Sequence, residues 1–225
     1  MTKRNNGKGG ELVNETGKIL ILISGKARHG KDTLALGAAE YGFSNYSFAK
    51  KLKETAREYL SPEDASKQWD DIKHRPDVRK LLQNVGATGR AYDRDIWIRR
   101  CEESIFSDGS DLVTISDCRF PNEIERMKRT MGECGYSVFA VRVDRPGFDN
   151  GLSEEAKRDV SETALDDYDF DLRLTNDAPT AETFSKAGFD RIKKEFAAAR
   201  AVSFSLKGVS ALGTKNIPAV GLTPR

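Results

Sequence analysis

The chain has 225 residues, of which 38% are hydrophobic and 32% charged, and this length and composition predict one folded domain rather than two. The longest aliphatic run, residues 19–23, is far shorter than the roughly 20 residues that span a bilayer, so we expect no membrane segment and a cytoplasmic location. Three scattered cysteines and two histidines argue against a disulfide framework or structural zinc, and a net charge of +2 gives no reason to expect nucleic-acid binding.

Predicted strands and helices alternate along most of the chain. In chain order we predict a strand at residues 18–24, helices at 31–40, 50–60, 62–68, 78–85 and 93–106, a strand at 112–116, a helix at 122–131, strands at 136–143 and 172–174, and a helix at 181–201. Residues 1–17 and 203–225 lack an apolar period, so we predict a mobile leader and tail around a domain at 18–202. The alternation predicts an α/β fold with a mainly parallel sheet covered on both faces.

The most specific motif fits GxxxxGK and lies between the first predicted strand and helix. It consists of Gly25-Lys26-Ala27-Arg28-His29-Gly30-Lys31. Glycines let backbone N–H groups of such a loop turn toward phosphate oxygens, and the helix N-terminus adds positive potential. Lys31 would carry the charge that meets the β- and γ-phosphates. Arg28 and His29 lie in the loop beside phosphate, although a solvated loop side chain is the favoured interpretation of His29.

The two residues that follow the lysine suggest how a metal would be held. Asp32 stands where a Ser or Thr usually ligates Mg²⁺, and Thr33 follows one residue later. At the end of the second predicted strand, Asp117 could hold Mg²⁺ or its water, and Arg119 could bind a transferring or accepting phosphate. The alternative for Asp117 is a helix-entry turn, because Asp, Pro and Asn are also N-terminal helix signals.

The predicted helical block contains the segments FAKKLK, LLQNVGATGR and DIW, which begin at residues 48, 81 and 95. Gly86 and Gly89 flank Thr88, with Arg79 and Arg90 nearby, and this arrangement suits a pocket for a second phosphate and an aromatic-rimmed base. Charged helices with a capping glycine would give much the same pattern, so both interpretations stay open.

The chain resembles the bacteriophage deoxynucleoside monophosphate kinase family, a branch of the P-loop kinases, in the order of its motifs. These motifs are ISGKARHGKDT, SFAKKLK, LLQNVGATGR, DIWIRR, ISDCRFPNE and VRVDRP, followed by a Ser161-Glu162 step. The resemblance covers residues 19–176. It implies a three-layer P-loop fold with a helical monophosphate-binding insertion at about 49–107 and a lid at about 144–165. It also implies ATP with Mg²⁺ as the phosphoryl donor and action in the host cytoplasm. A homodimer is compatible with the resemblance but is not implied by it.

The resemblance also implies a role for individual residues. Those that would handle ATP and Mg²⁺ or act in catalysis are Gly25, Arg28, His29, Gly30, Lys31, Asp32, Thr33, Asp117 and Arg119. Those that would face the monophosphate are Phe48, Lys53, Arg79, Gln83, Arg90, Trp97 and Glu162. Arg142 and Arg145 are candidates for the segment that closes over ATP. The chain departs from its relatives at residues 158–160, Arg-Asp-Val, where a His often precedes the Ser-Glu step.

Together these features predict transfer of the γ-phosphoryl group of ATP to the 5′-phosphate of a deoxynucleoside monophosphate. No general base is needed because a phosphate oxygen is already a deprotonated nucleophile. Two alternatives remain, a P-loop kinase of another small acceptor such as dephospho-coenzyme A or phosphomevalonate, and a switch or phage assembly module that binds ATP without an acceptor. Trp97 and Phe48 favour a flat nucleobase as part of the acceptor.

Overall fold

The computed structural model describes residues 17–73 and 75–212, and for residues 200–212 it describes the helix backbone only. The sheet has five parallel strands in the order β2-β3-β1-β4-β5. The strands are β1 (Ile19–Gly25), β2 (Ser44–Tyr46), β3 (Leu112–Cys118), β4 (Ser137–Asp144) and β5 (Leu172–Thr175). The predicted α/β class and parallel sheet are therefore confirmed.

Helices cover both faces of this sheet. They are α1 (Lys31–Ala38), α2 (Phe48–Arg57), α3 (Pro62–Ala65), α4 (Trp69–Ile72), α5 (Pro76–Tyr92), α6 (Ile96–Asp108), α7 (Pro121–Glu133), α8 (Glu154–Lys157), α9 (Val160–Thr163) and α10 (Ala181–Leu212), with a 3₁₀ turn at Ala39–Tyr41. No helix in the described part of the chain is long and apolar enough to cross a membrane.

Strand β1 is the centre of the molecule, because it pairs with β3 on one side and β4 on the other and is buried along its whole length. Successive side chains of a strand point to opposite faces. Ile19, Ile21 and Ile23 accordingly join the core formed with α1 and α10, whereas Leu20 and Leu22 join the core formed with α6 and α7. The end of β1 is thereby fixed between two packed layers.

Several elements differ from their prediction, among them the short helices α8 and α9, for which no element was predicted. Strand β2 was not predicted, because it has three residues and two of them are exposed, so no apolar run marks it. Helix α5 runs from Pro76 through Gly86 and Gly89 to Tyr92, well beyond the predicted residues 78–85. The predicted helix at 62–68 ends at Ala65, and α4 follows as a separate turn.

The chain ends lie partly outside the described residues. Helix α10 extends to Leu212, whereas we predicted that it ends at residue 201 and that a mobile tail starts at 203. The predicted end of the helix was therefore wrong, whereas the mobility of residues 203–212 stays a prediction. Residues 1–16 of the predicted leader and 213–225 of the predicted tail lie outside the described part of the chain.

Helices α1 and α10 pack tightly against each other at Gly37. A methyl group at this position would lie 1.5 Å from Ser185 Oγ and 2.9 Å from Ser185 Cβ, so the helices would have to separate. We predict that Gly37→Ala lowers the free energy of unfolding by about 1–3 kcal/mol, the usual cost of overpacking. Urea unfolding followed by circular dichroism measures this change.

Gly132 in α7 is the matched control, because a methyl group there would meet no heavy atom within 4 Å. Alanine is the better helix former, so Gly132→Ala should raise the free energy of unfolding by about 0.5–1 kcal/mol. Equal effects of the two substitutions would show that α1 and α10 do not pack as described.

Candidate active site

The loop that joins β1 to α1 has the backbone that a phosphate-binding loop requires. Gly30 has a φ of 106° and Arg28 a φ of 62°, both in the left-handed region. The His29 amide donates to the Lys26 carbonyl over 3.2 Å, which closes the turn directly before α1 begins at Lys31. A side chain at residue 30 would also meet Asn176 Nδ2 at 2.6 Å, so the motif's second glycine is required for two reasons.

Lys31, Asp32 and Thr33 form the first turn of α1, as the sequence indicated. Lys31 is buried, and its Nζ donates to Asp32 Oδ2 over 2.7 Å. The other oxygen of Asp32 accepts from Ser116 Oγ over 2.9 Å, which links the loop to the end of β3. The sequence analysis did not single out Ser116, although its position at the end of a strand next to β1 could have indicated it.

Asp117 lies next to Ser116 but has different neighbours. Strand β3 has one residue more than β1 between two paired positions, a β-bulge that changes the direction of its side chains. Both carboxylate oxygens of Asp117 accept hydrogen bonds at the start of α2, from Ser47 Oγ at 2.7 Å and from the Phe48 and Ala49 amides at 3.0 and 2.9 Å. Asp117 therefore has the helix-entry role that was the alternative interpretation, since three hydrogen bonds from the start of α2 reach its two oxygens, and its role as a metal ligand stays a prediction.

Arg119 joins β3 to the segment that follows β4. Its Nη1 donates to Glu162 Oε1 over 2.7 Å, and the second oxygen of Glu162 accepts from the Ala27 amide in the loop over 3.0 Å. Arg119 Nη1 also reaches the Ser161 carbonyl at 3.3 Å. The predicted residues Arg119 and Glu162 are thus brought together beside the loop.

His29 is buried, contrary to the prediction of a solvated loop side chain. Its Nδ1 accepts from the Arg145 amide over 3.1 Å, and its carbonyl accepts from Asn176 Nδ2 over 2.9 Å. Burial lowers the pKa of the imidazole below its ordinary value, with Arg142 and Lys26 adding to the effect against the opposing charges of Asp144 and Glu162. The His29 ring therefore ties the loop to the end of β4, and its backbone carbonyl ties the loop to the residue that follows β5.

Arg142 does not belong to a closing segment. It lies within β4, is 3% exposed, and its guanidinium contacts Ser24, Asp144 and Asp166. A charge this deeply buried needs such partners, so its role is structural. Arg145 directly follows β4 and places its guanidinium 4.0 Å from the centroid of the Phe148 ring.

Two cavities lie at this end of the sheet: one borders the loop, and the other shares Glu162 with it. The smaller, about 510 Å³, is bordered by Lys26, His29, Arg145, Phe148, Asn150 and Glu162 among others. The larger, about 590 Å³, contains in its wall the predicted residues Phe48, Lys53, Arg79, Gln83, Arg90, Trp97, Asp117, Arg119 and Glu162. The sequence analysis missed the apolar part of this wall, Leu52, Leu82 and Phe120, because aliphatic residues at helical spacing carry no mark of a cavity.

Gly86 and Gly89, which one interpretation placed at a pocket for a second phosphate, are helix residues beside Trp97. Both lie inside α5, where a methyl group on Gly89 would stand 2.6 Å from Trp97 Cζ2. Trp97 Nε1 donates to the Gly86 carbonyl over 3.2 Å. Gly89 therefore lets the indole lie against α5 at the wall of the larger cavity.

Glu123 is a half-buried acid in the wall of this cavity. Its Oε2 accepts from the Arg119 and Phe120 amides over 2.6 and 3.0 Å, which caps the start of α7. Burial raises the pKa of the carboxyl from its ordinary 4.5 to about 7, and the charge of Asp117 adds to the rise.

Within residues 17–73 and 75–212, no group of three or more His, Cys, Asp or Glu side chains could by itself hold a metal ion.

No protein-family model matches the chain. A segment of 111 residues is 36% identical to "Uncharacterized protein ORF77" of Ictalurid herpesvirus 1 (strain Auburn), and it spans 48% of this chain and 45% of the viral protein. The chain thus covers less than half of the length of this curated relative.

Among solved structures, the Mycobacterium tuberculosis APS kinase CysC in complex with AMPPNP and APS has 17% identity and a TM-score of 0.47, with coverage of 78% of this chain and 98% of that one. Shikimate kinase from Aquifex aeolicus has 18% identity and a TM-score of 0.40 over 87% and 99% of the two chains. Dephospho-CoA kinase from Campylobacter jejuni has 16% identity and a TM-score of 0.41 over 79% and 97%. Likeness at this level is too distant to carry an inference about activity.

The raised pKa of Glu123 makes the stability of the protein depend on pH. The folded state holds the proton more tightly than the unfolded chain, so this contribution is complete below about pH 4.5 and is lost as the pH rises toward 7. Glu123→Gln keeps an acceptor for the two amides but cannot ionise. We predict that between pH 4.5 and 7.5 the free energy of unfolding of the wild type falls relative to the variant by up to about 3 kcal/mol.

Denaturant unfolding at several pH values measures this difference. Glu133→Gln, an exposed position of the same helix, is the control and should follow the wild-type curve. If Glu123→Gln also follows the wild-type curve, the Glu123 carboxyl does not titrate within a buried site.

Proposed function

We propose that the protein is a P-loop kinase that transfers the γ-phosphoryl group of ATP to the 5′-phosphate of a deoxynucleoside monophosphate. One observation carries the proposal: a cavity with four cationic and three aromatic side chains in its wall shares Glu162 with the GxxxxGK loop. Both lie at the carboxyl ends of parallel strands, where such sheets bind their ligands. The resemblance to the phage kinase family supports the choice of acceptor.

For the donor, we assign ATP to the loop and the smaller cavity. The N-terminus of α1 and the Lys31 ammonium would contact the phosphates. The backbone of the loop residues Gly25, Arg28 and Gly30 would surround the phosphate oxygens. Arg145, stacked on Phe148, would face the nucleoside from the start of the β4–β5 connection. His29 would act through its position, since its imidazole holds the loop to that connection.

For the acceptor, we assign the larger cavity. Lys53, Arg79 and Arg90 supply positive charge for the monophosphate, whereas Phe48 and Trp97 offer flat apolar walls to a base. The amide of Gln83 is available to a base edge. All the residues assigned to both substrates belong to one chain, so the proposed reaction needs no second copy.

The proposed chemistry needs alignment and charge neutralisation rather than a covalent intermediate. An oxygen of the acceptor 5′-phosphate attacks the γ-phosphorus, and the bond from that phosphorus to the bridging oxygen of ADP breaks. Lys31 and Arg119 would spread the charge of the transferring group. The 5′-phosphate carries no proton that a base must remove at neutral pH. Both proposed substrates occur in cytoplasmic nucleotide pools, which agrees with the proposed cytoplasmic location.

Mg²⁺ would accompany ATP, and the residues present fit it. Mg²⁺ is usually held by one or two protein oxygens together with substrate phosphates and water, so a full protein cage is not required. The Asp32 carboxylate, oriented by Ser116, and the Thr33 hydroxyl are oxygen donors in the first turn of α1. When bound, the ion would neutralise charge on the β- and γ-phosphates.

The first test is ATP turnover measured with and without a mixture of the four deoxynucleoside monophosphates. We expect turnover to depend on the mixture, and Lys31→Met to lower kcat about 10³-fold, ~4 kcal/mol of transition-state stabilisation, without unfolding the chain. Lys186→Met, an exposed lysine on α10, is the control and should keep full activity.

Each other outcome favours one of the alternatives. Turnover that needs dephospho-coenzyme A or phosphomevalonate instead would identify a kinase of another acceptor. ATP binding without turnover in any mixture would identify a switch. A folded Lys31→Met protein with more than about a tenth of wild-type kcat would remove Lys31 from the catalytic centre.

The second test separates the two candidate acids by the Mg²⁺ dependence of the rate. Because Asp32 is the proposed ligand, Asp32→Asn should raise the Mg²⁺ concentration that gives half-maximal rate. Because Asp117 caps α2, Asp117→Asn should lower the free energy of unfolding by about 1 kcal/mol and leave the Mg²⁺ requirement unchanged. If Asp117→Asn instead raises the Mg²⁺ requirement and Asp32→Asn leaves it unchanged, Asp117 is the metal ligand.

A further inference from the structure

Glu162 is the point at which the two cavities meet. It borders both of them, and its side chain is only 10% exposed. One carboxylate oxygen accepts from the Ala27 amide of the loop over 3.0 Å, and the other accepts from Arg119 over 2.7 Å. The carboxylate therefore bridges a backbone donor of the donor side and a guanidinium of the acceptor side.

These two donors are of the kind that bind a phosphoryl group. Loop amides before a helix and arginine side chains both form charge-assisted hydrogen bonds with phosphate oxygens. Resting on the proposed function, we propose that the Glu162 carboxylate and the terminal phosphoryl group of ATP compete for the Ala27 amide and Arg119. Binding of the triphosphate then releases Arg119 from Glu162, so that the guanidinium becomes available only when a group is ready for transfer.

Electrostatics make the competition exclusive. A carboxylate and a phosphoryl group are both anions, and at hydrogen-bond distance from the same donors they would repel each other in a partly buried site. Glu162 therefore acts as a positioning residue for Arg119 rather than as the substrate ligand that the family resemblance implied.

The element that carries Glu162 is suited to such a displacement. Helix α9 has four residues, none of them buried, and Val160 is 62% exposed. Its contacts with the loop side are polar: Glu162 with Ala27, and, at the end of the same segment, Lys26 with Asp166 over 3.0 Å. The Lys26–Asp166 pair would keep the segment attached while the Glu162 contact opens.

The test is calorimetric binding of AMPPNP and ADP, each with Mg²⁺ and without acceptor. Glu162→Gln keeps the shape of the side chain and removes its charge, so we expect AMPPNP to bind about tenfold more tightly, ~1.4 kcal/mol, and ADP to change by less than about twofold. Glu155→Gln, an exposed acid in α8, removes the same charge nearby and should leave both affinities unchanged.

The outcomes separate the competition from other roles. If Glu162→Gln leaves AMPPNP binding unchanged, or tightens AMPPNP and ADP equally, the proposal is overturned while the proposed function stands. A wild-type protein that binds neither nucleotide would overturn both. If Glu162→Gln does not fold, Glu162→Asp serves instead: it keeps the charge but is too short to reach both donors, and it should tighten AMPPNP more than ADP or the proposal fails.

Discussion

The structure depends on the burial of β1 between two parallel neighbours. A strand that is buried on both faces must be apolar throughout, and the five aliphatic residues 19–23 meet this requirement. Their burial in two separate cores leaves the following loop little freedom in direction. The loop therefore emerges at the edge of the sheet where β3 and β4 also end, and the chemistry-bearing residues of three strands come together there.

The charges at this edge are arranged in pairs that join separate elements. Arg142 in β4 is buried and contacts Asp144 and Asp166, and Asp166 in turn pairs with Lys26 of the loop. Arg119 pairs with Glu162, whose carboxylate also holds the loop backbone. Because loss of one partner leaves a poorly solvated charge, these pairs hold the β4–β5 connection against the loop. The same connection borders both cavities, so the proposed donor and acceptor sites share one wall.

Sequence reasoning reached the parallel α/β class and the candidate site because both have strong local signals. The run at residues 19–23 and the motif ending at Lys31 fixed the position of the loop, and the residues expected to face the acceptor do line one cavity. It failed where long-range packing decides. A bulge in β3 gives the side chains of Ser116 and Asp117 different neighbours, and close contact with Trp97 accounts for a glycine at residue 89 inside α5. Neither feature leaves a local pattern in the sequence.

The same reasoning explains the errors about His29 and Arg142. A histidine in a glycine-rich loop and an arginine two residues before a predicted lid carry no local sign of burial, because for each of them a partner lies more than 20 residues away in the sequence. His29 meets the amide of Arg145, and Arg142 meets Asp166. Burial of polar groups of this kind follows from tertiary contacts and not from periodicity.

The proposed reaction requires that one chain holds a nucleoside triphosphate and a nucleoside monophosphate with their phosphates meeting beside Arg119. A crystal structure with a bisubstrate analogue, in which adenosine and thymidine are joined by a pentaphosphate, tests this requirement. We expect adenosine in the cavity of Arg145, thymidine in the cavity of Trp97, and phosphate oxygens on Arg119 in place of Glu162. An analogue bound at the loop alone, with its thymidine in solvent and the Arg119–Glu162 pair intact, would contradict it.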